Sequence, residues 1–259
     1  MARIIITNKE RLPGTIVLIL VVLYNLVLLT SGRDWLLIMT REDGLVEYAA
    51  VICYLVSAGI VLTLFFISKT SEKRYLFKFR RNILFLLIGF LFLIFAGEEI
   101  SWGQRILNFT PPEFWSQLNR QGELTLHNLN FWEALDTSGN QKYGIVRLVS
   151  SVAFYTYFWF AICLIIPILN KSWSKANQFF EETGIPVIHI FYGALFLLNY
   201  IVFELVEKTS IELRPVGEIK ETNFALLYLA VSVSLIIKFR LMTIAASGQD
   251  RAQLPKSTV

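Results

Sequence analysis

Long apolar stretches alternate with short polar segments along the chain. Each apolar stretch is about 16 to 25 residues long, which is the length that a helix needs to cross a hydrocarbon core of roughly 30 Å. The pattern therefore predicts an all-α fold, a six-transmembrane-helix bundle that forms a single domain over residues 1–259. The predicted spans cover about residues 14–30, 44–68, 82–102, 143–169, 186–204 and 223–238.

Composition supports a membrane protein and excludes several other classes. Hydrophobic residues make up 55% of the chain and charged residues 17%, whereas a typical soluble domain has roughly 25% charged residues. No basic run interleaved with aromatic residues points to a nucleic-acid partner, so the expected partners are membrane lipids. Cys53 and Cys163 lie inside apolar segments without CxxC spacing, so we expect packing residues rather than a disulfide or redox centre.

The positions of Lys and Arg predict the orientation, because cytoplasmic loops carry an excess of these residues. They cluster in the N-terminal tail, between the second and third spans, and after the fourth and sixth spans, which all lie on one side. We expect a protein of an inner (plasma) membrane with both termini in the cytoplasm. The outer connections are then about residues 31–43, 103–142 and 205–222.

Polar groups at membrane depth gather on this predicted outer side. An ionisable side chain in a bilayer costs a few kcal/mol, so it calls for a partner, a water-filled cavity or a function. In REDGLVEYAA, Asp43 and Glu47 are four residues apart and would share a face of the second helix. Glu42 and Asp43 also suit a solvated helix start, whereas the deeper Glu47 favours a functional or network role. Glu204 lies at the outer end of the fifth span.

The segment GEEISWGQRI ends the third span with three ionisable groups. On a continuous helix, Glu98, Trp102 and Arg105 would follow one another at positions i, i+4 and i+7, and Glu99 would point about 100° away. Two interpretations stay open. The carboxylates either pair with Arg105 and Arg147 to hold the bundle together, or they form a site that binds a metal or moves protons.

The long outer connection contains one of the two histidines. In GELTLHN, Glu123 and His127 are four residues apart, and on a helix the carboxylate and the imidazole would lie side by side. Two short interfacial helices are predicted in the same connection, TPPEFWSQLNR with Thr110 as N-cap and NFWEAL with Asn130 as N-cap. The other histidine, His189, is expected to be a packing residue in the fifth span.

Three blocks in order, REDGLVE, GEEISWGQR and GELTLHN, resemble those of an uncharacterised family of bacterial multi-pass membrane proteins. The resemblance covers about the first half of the chain and implies that the three blocks belong together, but it implies no activity. The two adjacent glutamates bear a fainter likeness to the EExxxR block of CAAX-protease-like intramembrane metalloproteases. Here five residues rather than three separate Glu99 from Arg105, and the FxxxH and HxxxN blocks of those proteases have no match.

Two functional hypotheses follow. The first is a metal-assisted hydrolase or transferase that acts on a lipid or lipid-linked substrate at the outer face. Its catalytic residues would be Glu98, Glu99 and His127, a divalent metal would be held by Glu47, Glu98, Glu99, His127 and Glu204, and substrate would be bound by Arg105, Arg147 and Trp102. The alternative is a non-enzymatic transporter or accessory subunit whose buried charges move ions or protons, or bind a partner protein.

Overall fold

The computed structural model describes residues 2–70, 75–132, 148–209 and 213–253, and within these ranges every regular secondary-structure element is a helix. The predicted all-α class is therefore confirmed. The α-helices are α1 (Ala2–Thr30), α2 (Arg33–Met39), α3 (Leu45–Ile67), α4 (Ile83–Glu99), α5 (Gln104–Leu107), α6 (Glu113–Leu118), α7 (Ser151–Trp159), α8 (Ile166–Ser172), α9 (Ser174–Thr183), α10 (Ile190–Thr209) and α11 (Leu213–Gln253). A π-helical segment, Phe160–Ile165, joins α7 to α8.

By length and composition, this is a multi-pass membrane protein. Within the described ranges, five helical stretches are long and apolar enough to cross a membrane: Asn8–Leu28, Leu45–Ile67, Ala153–Ser172, Ile190–Thr209 and Pro215–Ile244. A sixth candidate is α4 together with the segment Ser101–Leu107, which is bent by 67° relative to α4. The predicted number of six spans holds if this bent pair counts as one span.

One end of the bundle holds the starts of α1 and α10 and the later turns of α11. The hydroxyl of Tyr192 on α10 donates a hydrogen bond to the carbonyl of Glu10 on α1, at 2.6 Å. Lys238 of α11 donates to the carbonyl of Val187, just before α10, at 2.9 Å. We call this the basic end, after Arg11, Lys171 and Lys238.

The opposite end brings together the starts of α3, α7 and α11. Thr222 of α11 donates a hydrogen bond to the carbonyl of Val46 on α3 at 3.0 Å, and Ser151 of α7 donates to the carbonyl of His127 at 3.1 Å. We call this the acidic end, defined by Asp43, Glu47, Glu98, Glu99, Glu123 and Glu221. The polar blocks of the sequence therefore do meet at one end of the bundle.

The sixth predicted span, residues 223–238, is too short. Helix α11 already begins at Leu213. Glu218, Lys220 and Glu221 lower the hydropathy of its first turns, which is why the apolar pattern did not include them. The side chains of these three residues have hydrogen bonds or charged neighbours at the acidic end. The helix can therefore include them.

The start of the fifth span was placed too early, because His189 caps this helix. Its Nδ1 accepts a hydrogen bond from the N–H of Phe191 at 3.1 Å, and its carbonyl accepts one from Tyr192. Helix α10 therefore begins at Ile190 rather than at residue 186. A cap satisfies an N–H that the first turn leaves unpaired, so His189 is more than the expected packing residue.

The remaining boundaries of the spans differ less. The second span is confirmed to within one residue at each end, and the first helix extends back to Ala2. The beginning of the fourth predicted span, residues 143–147, lies outside the described residues.

One predicted helix of the long connection is confirmed as α6, but Thr110 does not cap it. The N-cap is Pro112, without a side-chain hydrogen bond. Pro111 and Pro112 have no N–H groups that Thr110 could bond. The second predicted interfacial helix begins at Asn130, and from residue 133 onwards it lies outside the described residues.

The π-helical segment follows from a proline. Pro167 has no N–H to bond the carbonyl of Cys163 four residues earlier, and its ring crowds that carbonyl, so the helix widens. The carbonyl of Cys163 then faces Gly193 of α10, where a β-carbon would lie well inside van der Waals contact. Cys163 itself is buried with a free thiol, as is Cys53, in line with their expected packing role.

Replacing Gly193 with Ala tests this close approach. The added methyl group has to push α10 away from the π-helical segment, so we expect a loss of about 1–3 kcal/mol in unfolding free energy. Gly59→Ala is the matched control, because a β-carbon there meets no atom within 4 Å and alanine favours a helix. Thermal unfolding in detergent compares the two variants, and equal melting would contradict the contact.

Candidate functional site

Helix α4 ends at Glu99, and the chain bends sharply there, with the segment Ser101–Leu107 at 67° to α4. Ser101, Trp102 and Gly103 have φ angles of 47°, 54° and 80°, a left-handed conformation that costs an L-residue roughly 1–2 kcal/mol. Gly103 adopts it freely, whereas Ser101 and Trp102 need tertiary contacts to hold them there. The continuous helix predicted through residue 102 is therefore wrong at its end.

Two acidic residues hold this bend. The indole of Trp102 folds back on α4, where a β-carbon at Gly97 would be only 2.9 Å from the ring. Trp102 Nε1 donates to Glu98 Oε1 at 2.7 Å, and Ser101 Oγ donates to Glu123 Oε2 at 2.7 Å. Arg105 follows directly after the bend, in α5.

Arg105 is the central cation of the acidic end. Its Nε donates to Asp43 Oδ1 at 3.0 Å, and its Nη1 donates to Glu123 Oε1 at 3.2 Å. Its Nη2 pairs with Glu47 Oε1 and donates to the carbonyl of Glu99 at 3.0 Å. One guanidinium thus joins the start of α3, the end of α4 and the long connection, and it compensates three carboxylates.

This network corrects two expectations based on helical spacing. Asp43 precedes α3 with a φ of 56°, so it does not share a helix face with Glu47; instead its N–H donates to Glu47 Oε2 at 2.7 Å. Glu123 and His127 do not share a helix either, since the segment between them forms turns after Gly122, which has a φ of 70°. Glu123 pairs with the guanidinium of Arg105, whereas His127 pairs with Glu98 of α4.

Glu98 holds the long connection against the end of α4. Its Oε2 accepts hydrogen bonds from the N–H of Leu126 at 2.7 Å, from the N–H of His127 at 2.9 Å and from His127 Nδ1 at 2.9 Å. The predicted approach of His127 to the glutamates is thus confirmed. The His127 side chain keeps 49% of its surface exposed, and its Nε2 has no hydrogen-bond partner among the residues that the structure describes.

The environment of His127 favours its protonated form. Burial favours the neutral imidazole, but the hydrogen bond and charge of Glu98, with further charge from Glu221 and Glu123, outweigh burial and raise the pKa of His127 above its ordinary value near 6.5. The imidazole is therefore suited to exchange protons near neutral pH.

Glu99 at the end of α4 and Glu221 near the start of α11 form a pair of carboxylates that act on each other through their charges. Arg105 attracts Glu99, and His127 and Lys220 attract Glu221, whose side chain is exposed. Neither carboxylate accepts a hydrogen bond from another residue in the described ranges. Two neighbouring acids of this kind share a proton or hold a cation between them.

Tyrosine side chains lie beneath the acid pair, inside the bundle. The hydroxyls of Tyr54 and Tyr155 are 3.0 Å apart, and the charges of Glu99 and Glu221 both act on Tyr155. The ring of Tyr228 packs on both, with centroid distances of 6.3 Å to Tyr54 and 6.1 Å to Tyr155. Hydroxyl groups therefore continue from the acid pair into the core.

The residues predicted to bind a metal engage different partners. Glu47 pairs with the guanidinium, Glu98 with His127, and Glu204 with Lys220 at 3.0 Å. Within the described ranges, no group of three or more His, Cys, Asp or Glu residues is arranged to hold a metal ion. Metal binding at Glu47, Glu98, Glu99, His127 and Glu204 stays a prediction.

The residues predicted to bind substrate also differ in their surroundings. Trp102 keeps 46% of its surface exposed. Arg105 donates to protein oxygen atoms, which is the charge-balancing role considered for it above. Arg147 lies outside the described residues.

Glu221 and Tyr155 were missed as site residues. Glu221 precedes Ala225 and Tyr228 by four and seven positions, so extending the helical period of the last span backwards would have placed it on the face of these two buried residues. No comparable signal in the sequence singles out Tyr155 from the other aromatic residues of its apolar span.

No protein-family model matches the chain, no curated protein is significantly similar to it, and no solved structure matches it at a significant level. The function is therefore inferred from the geometry of this chain alone.

Arg105→Leu should destabilise the protein, because it leaves Asp43, Glu47 and Glu123 facing one another without their cation. Removing one partner of a buried ion pair typically costs about 3–5 kcal/mol, and we expect the lower part of that range here. The exposed Arg41→Leu is the matched control. Adding Glu47→Leu to Arg105→Leu should restore part of the loss in a melting experiment, and its failure to do so would argue against the pairing.

The two histidines should give stability opposite dependences on pH. His127 has a raised pKa, so its contribution is fully present below about pH 6.5 and is lost as the pH rises through its folded-state pKa. Burial and the charges of Arg11, Lys238 and Lys171 lower the pKa of His189, so protonation below about pH 6.5 destabilises the fold. His127→Gln should therefore lower the melting temperature more at pH 6 than at pH 9. His189→Gln should raise the melting temperature relative to that of the wild type at low pH. Parallel curves for wild type and both variants would refute both assignments.

Proposed function

We propose that this protein is a membrane enzyme with an acid–base centre at the acidic end, a hydrolase or transferase that acts on a lipid or lipid-linked substrate. One observation carries the proposal. His127 Nδ1 is hydrogen-bonded to Glu98 at 2.9 Å, while Nε2 of the same half-exposed ring has no partner among the described residues. A carboxylate on one ring nitrogen and a free second nitrogen is the arrangement that a general base or acid needs.

Glu98 orients the imidazole. Because its Oε2 also accepts the N–H groups of Leu126 and His127, the carboxylate is held in place and stays ionised. The proton of the neutral imidazole then resides on Nδ1, and Nε2 can take a proton from water or a hydroxyl and return it to the leaving group. Glu98 is thus a positioning residue, and His127 is the group that meets the substrate.

Glu99 and Glu221 complete the proposed centre. A proton shared by this pair gives a carboxylic acid that can protonate a leaving group. A divalent cation, as expected from the sequence, would be an alternative occupant, with Glu99 as a ligand that no described hydrogen bond engages. Metal analysis of the purified protein distinguishes the two occupants.

A lipid-type substrate fits the surroundings of the centre. Trp102, Phe114 and Phe131 are exposed by 46%, 71% and 70%, and they flank the point where the apolar helices end. Aromatic rings of this kind sit at the headgroup level of a bilayer. We further propose that the acidic end faces outwards from a bacterial inner membrane and that both termini are cytoplasmic, from the distribution of Lys and Arg.

A second candidate function is proton or ion movement. The hydrogen-bonded hydroxyls of Tyr54 and Tyr155 beneath the acid pair favour it, because they extend the polar region into the core. Proton or ion movement would need the side chains of Glu99 and Tyr155, but it would not need Nε2 of His127.

The test separates these candidates. Purified protein in lipid nanodiscs is incubated with phosphatidylglycerol, phosphatidylethanolamine and a polyprenyl diphosphate, and the products are identified by mass spectrometry. We expect turnover of at least one substrate to fall by about 10²–10⁴ in His127→Gln, measured at a temperature at which the variant is folded, while the exposed Arg41→Gln retains full activity. Glu98→Gln should alter the pH profile as well as the rate.

Two results would count against the enzyme. Turnover that survives in His127→Gln would remove the acid–base role of the imidazole. Absence of turnover combined with a proton flux in liposomes, lost in Glu99→Gln and Tyr155→Phe but kept in His127→Gln, would support the second function instead.

A further inference from the structure

The basic end contains a group of cations around the start of α10. Arg11 of α1 lies with Nε and Nη2 at 3.1 and 2.9 Å from Nε2 of His189. Lys238 of α11 donates to the carbonyl of Val187 at 2.9 Å. Lys171, at the end of α8, is exposed and acts on His189 through its charge. Positive charges from α1, α8 and α11 therefore act on His189.

Hydrogen-bond donors outnumber acceptors at this point. Arg11 approaches Nε2 of His189 while the N–H of Phe191 approaches Nδ1. A neutral imidazole has a single acceptor nitrogen, so at least one of these donors lacks an acceptor. An external acceptor with several oxygen atoms would satisfy them.

The cluster also carries surplus positive charge. Glu10 is a carboxylate that acts on this cluster of cations through its charge. It is buried and attracts Lys238. Arg11 and Lys171 have no carboxylate partner among the described residues. Three cations against one carboxylate leave a site that attracts an anion.

The depth of the cluster indicates where that anion comes from. Arg11 lies in the first turn of the span Asn8–Leu28, Lys171 lies in the last turn of Ala153–Ser172, and His189 directly precedes Ile190. These helix ends are where apolar spans meet the headgroup layer of a bilayer. A phosphate held at the surface of the lipid layer would be within reach of all three.

We propose that Arg11, Lys171, Lys238 and His189 form a binding site for the phosphate headgroup of an anionic lipid at the basic end of the bundle. Arg11 supplies a planar pair of N–H donors that matches phosphate oxygens, and the two lysines supply point charges. The lipid links α1, α8, α10 and α11 on the side opposite the proposed catalytic centre, and it does not depend on that centre.

Lipid binding is coupled to protonation of His189. Burial and the charges of Arg11, Lys238 and Lys171 lower the pKa of His189 in the free protein, with Glu10 facing the cluster from α1. A bound phosphate adds negative charge beside the ring and raises this pKa. By linkage, the lipid binds more tightly as the pH falls through the pKa that His189 has in the lipid-bound protein.

Native mass spectrometry of the full chain, titrated with phosphatidylglycerol or phosphatidylcholine, tests the site. We expect selective binding of phosphatidylglycerol that weakens roughly tenfold or more in the double variant Arg11→Gln, Lys171→Gln. The matched control is Lys69→Gln, Arg80→Gln, which removes two exposed cations near the same end and should leave binding unchanged. If the double variant does not fold, Lys171→Gln alone should show a smaller loss in the same direction.

A second readout follows His189 directly by NMR, with its signal assigned through His127→Gln. Phosphatidylglycerol should raise the pKa of His189, whereas inorganic phosphate at the same concentration should not. Equal loss of binding in the control variant would show a nonspecific charge effect and overturn the proposal. Equal binding of inorganic phosphate would overturn the lipid assignment, and an unchanged pKa of His189 would remove the imidazole from the site.

Discussion

Carboxylates at the end of apolar helices need a compensating cation, and in this protein that cation is Arg105. Its guanidinium contacts Asp43, Glu47 and Glu123 and a carbonyl of α4. The sharp bend after Glu99 brings Arg105 to these partners. The strained backbone of the bend is therefore a consequence of charge pairing at low dielectric, where an unpaired charge is more costly than a few unfavourable φ angles.

The acidic residues at this end divide into two groups with different physical roles. Glu47 and Glu123 neutralise Arg105. Glu98 accepts one hydrogen bond from Trp102 and three from Leu126 and His127, and these three fix the long connection on α4. Glu99 and Glu221 accept no hydrogen bond from another described residue, although Arg105 attracts Glu99 and His127 and Lys220 attract Glu221. Ionisable groups at the ends of apolar helices that no hydrogen bond fixes are candidates for a functional role.

Much of the fold was predictable from hydropathy alone, because a membrane requires about twenty apolar residues per helix. The second span, the gathering of polar blocks at one end, and the contact of His127 with Glu98 were all expected. The start of the sixth helix was not, because Glu218 and Glu221 interrupt the apolar pattern. The cap predicted at Thr110 was wrong and the cap at His189 was not predicted, since a cap depends on single hydrogen bonds that the residue pattern does not specify.

The sequence by itself determined the class of the protein, because apolar length and the positions of charges depend only on residue type. It also placed the acidic and basic residues at opposite ends. Only the tertiary structure decided which charges are paired. Arg105 and Glu47 are 58 positions apart in the sequence, and their contact depends on the bend at Trp102 and on the packing of α3 against α4. Helical spacing describes neighbours on one helix, whereas a site built from four chain segments depends on how those segments fold against one another.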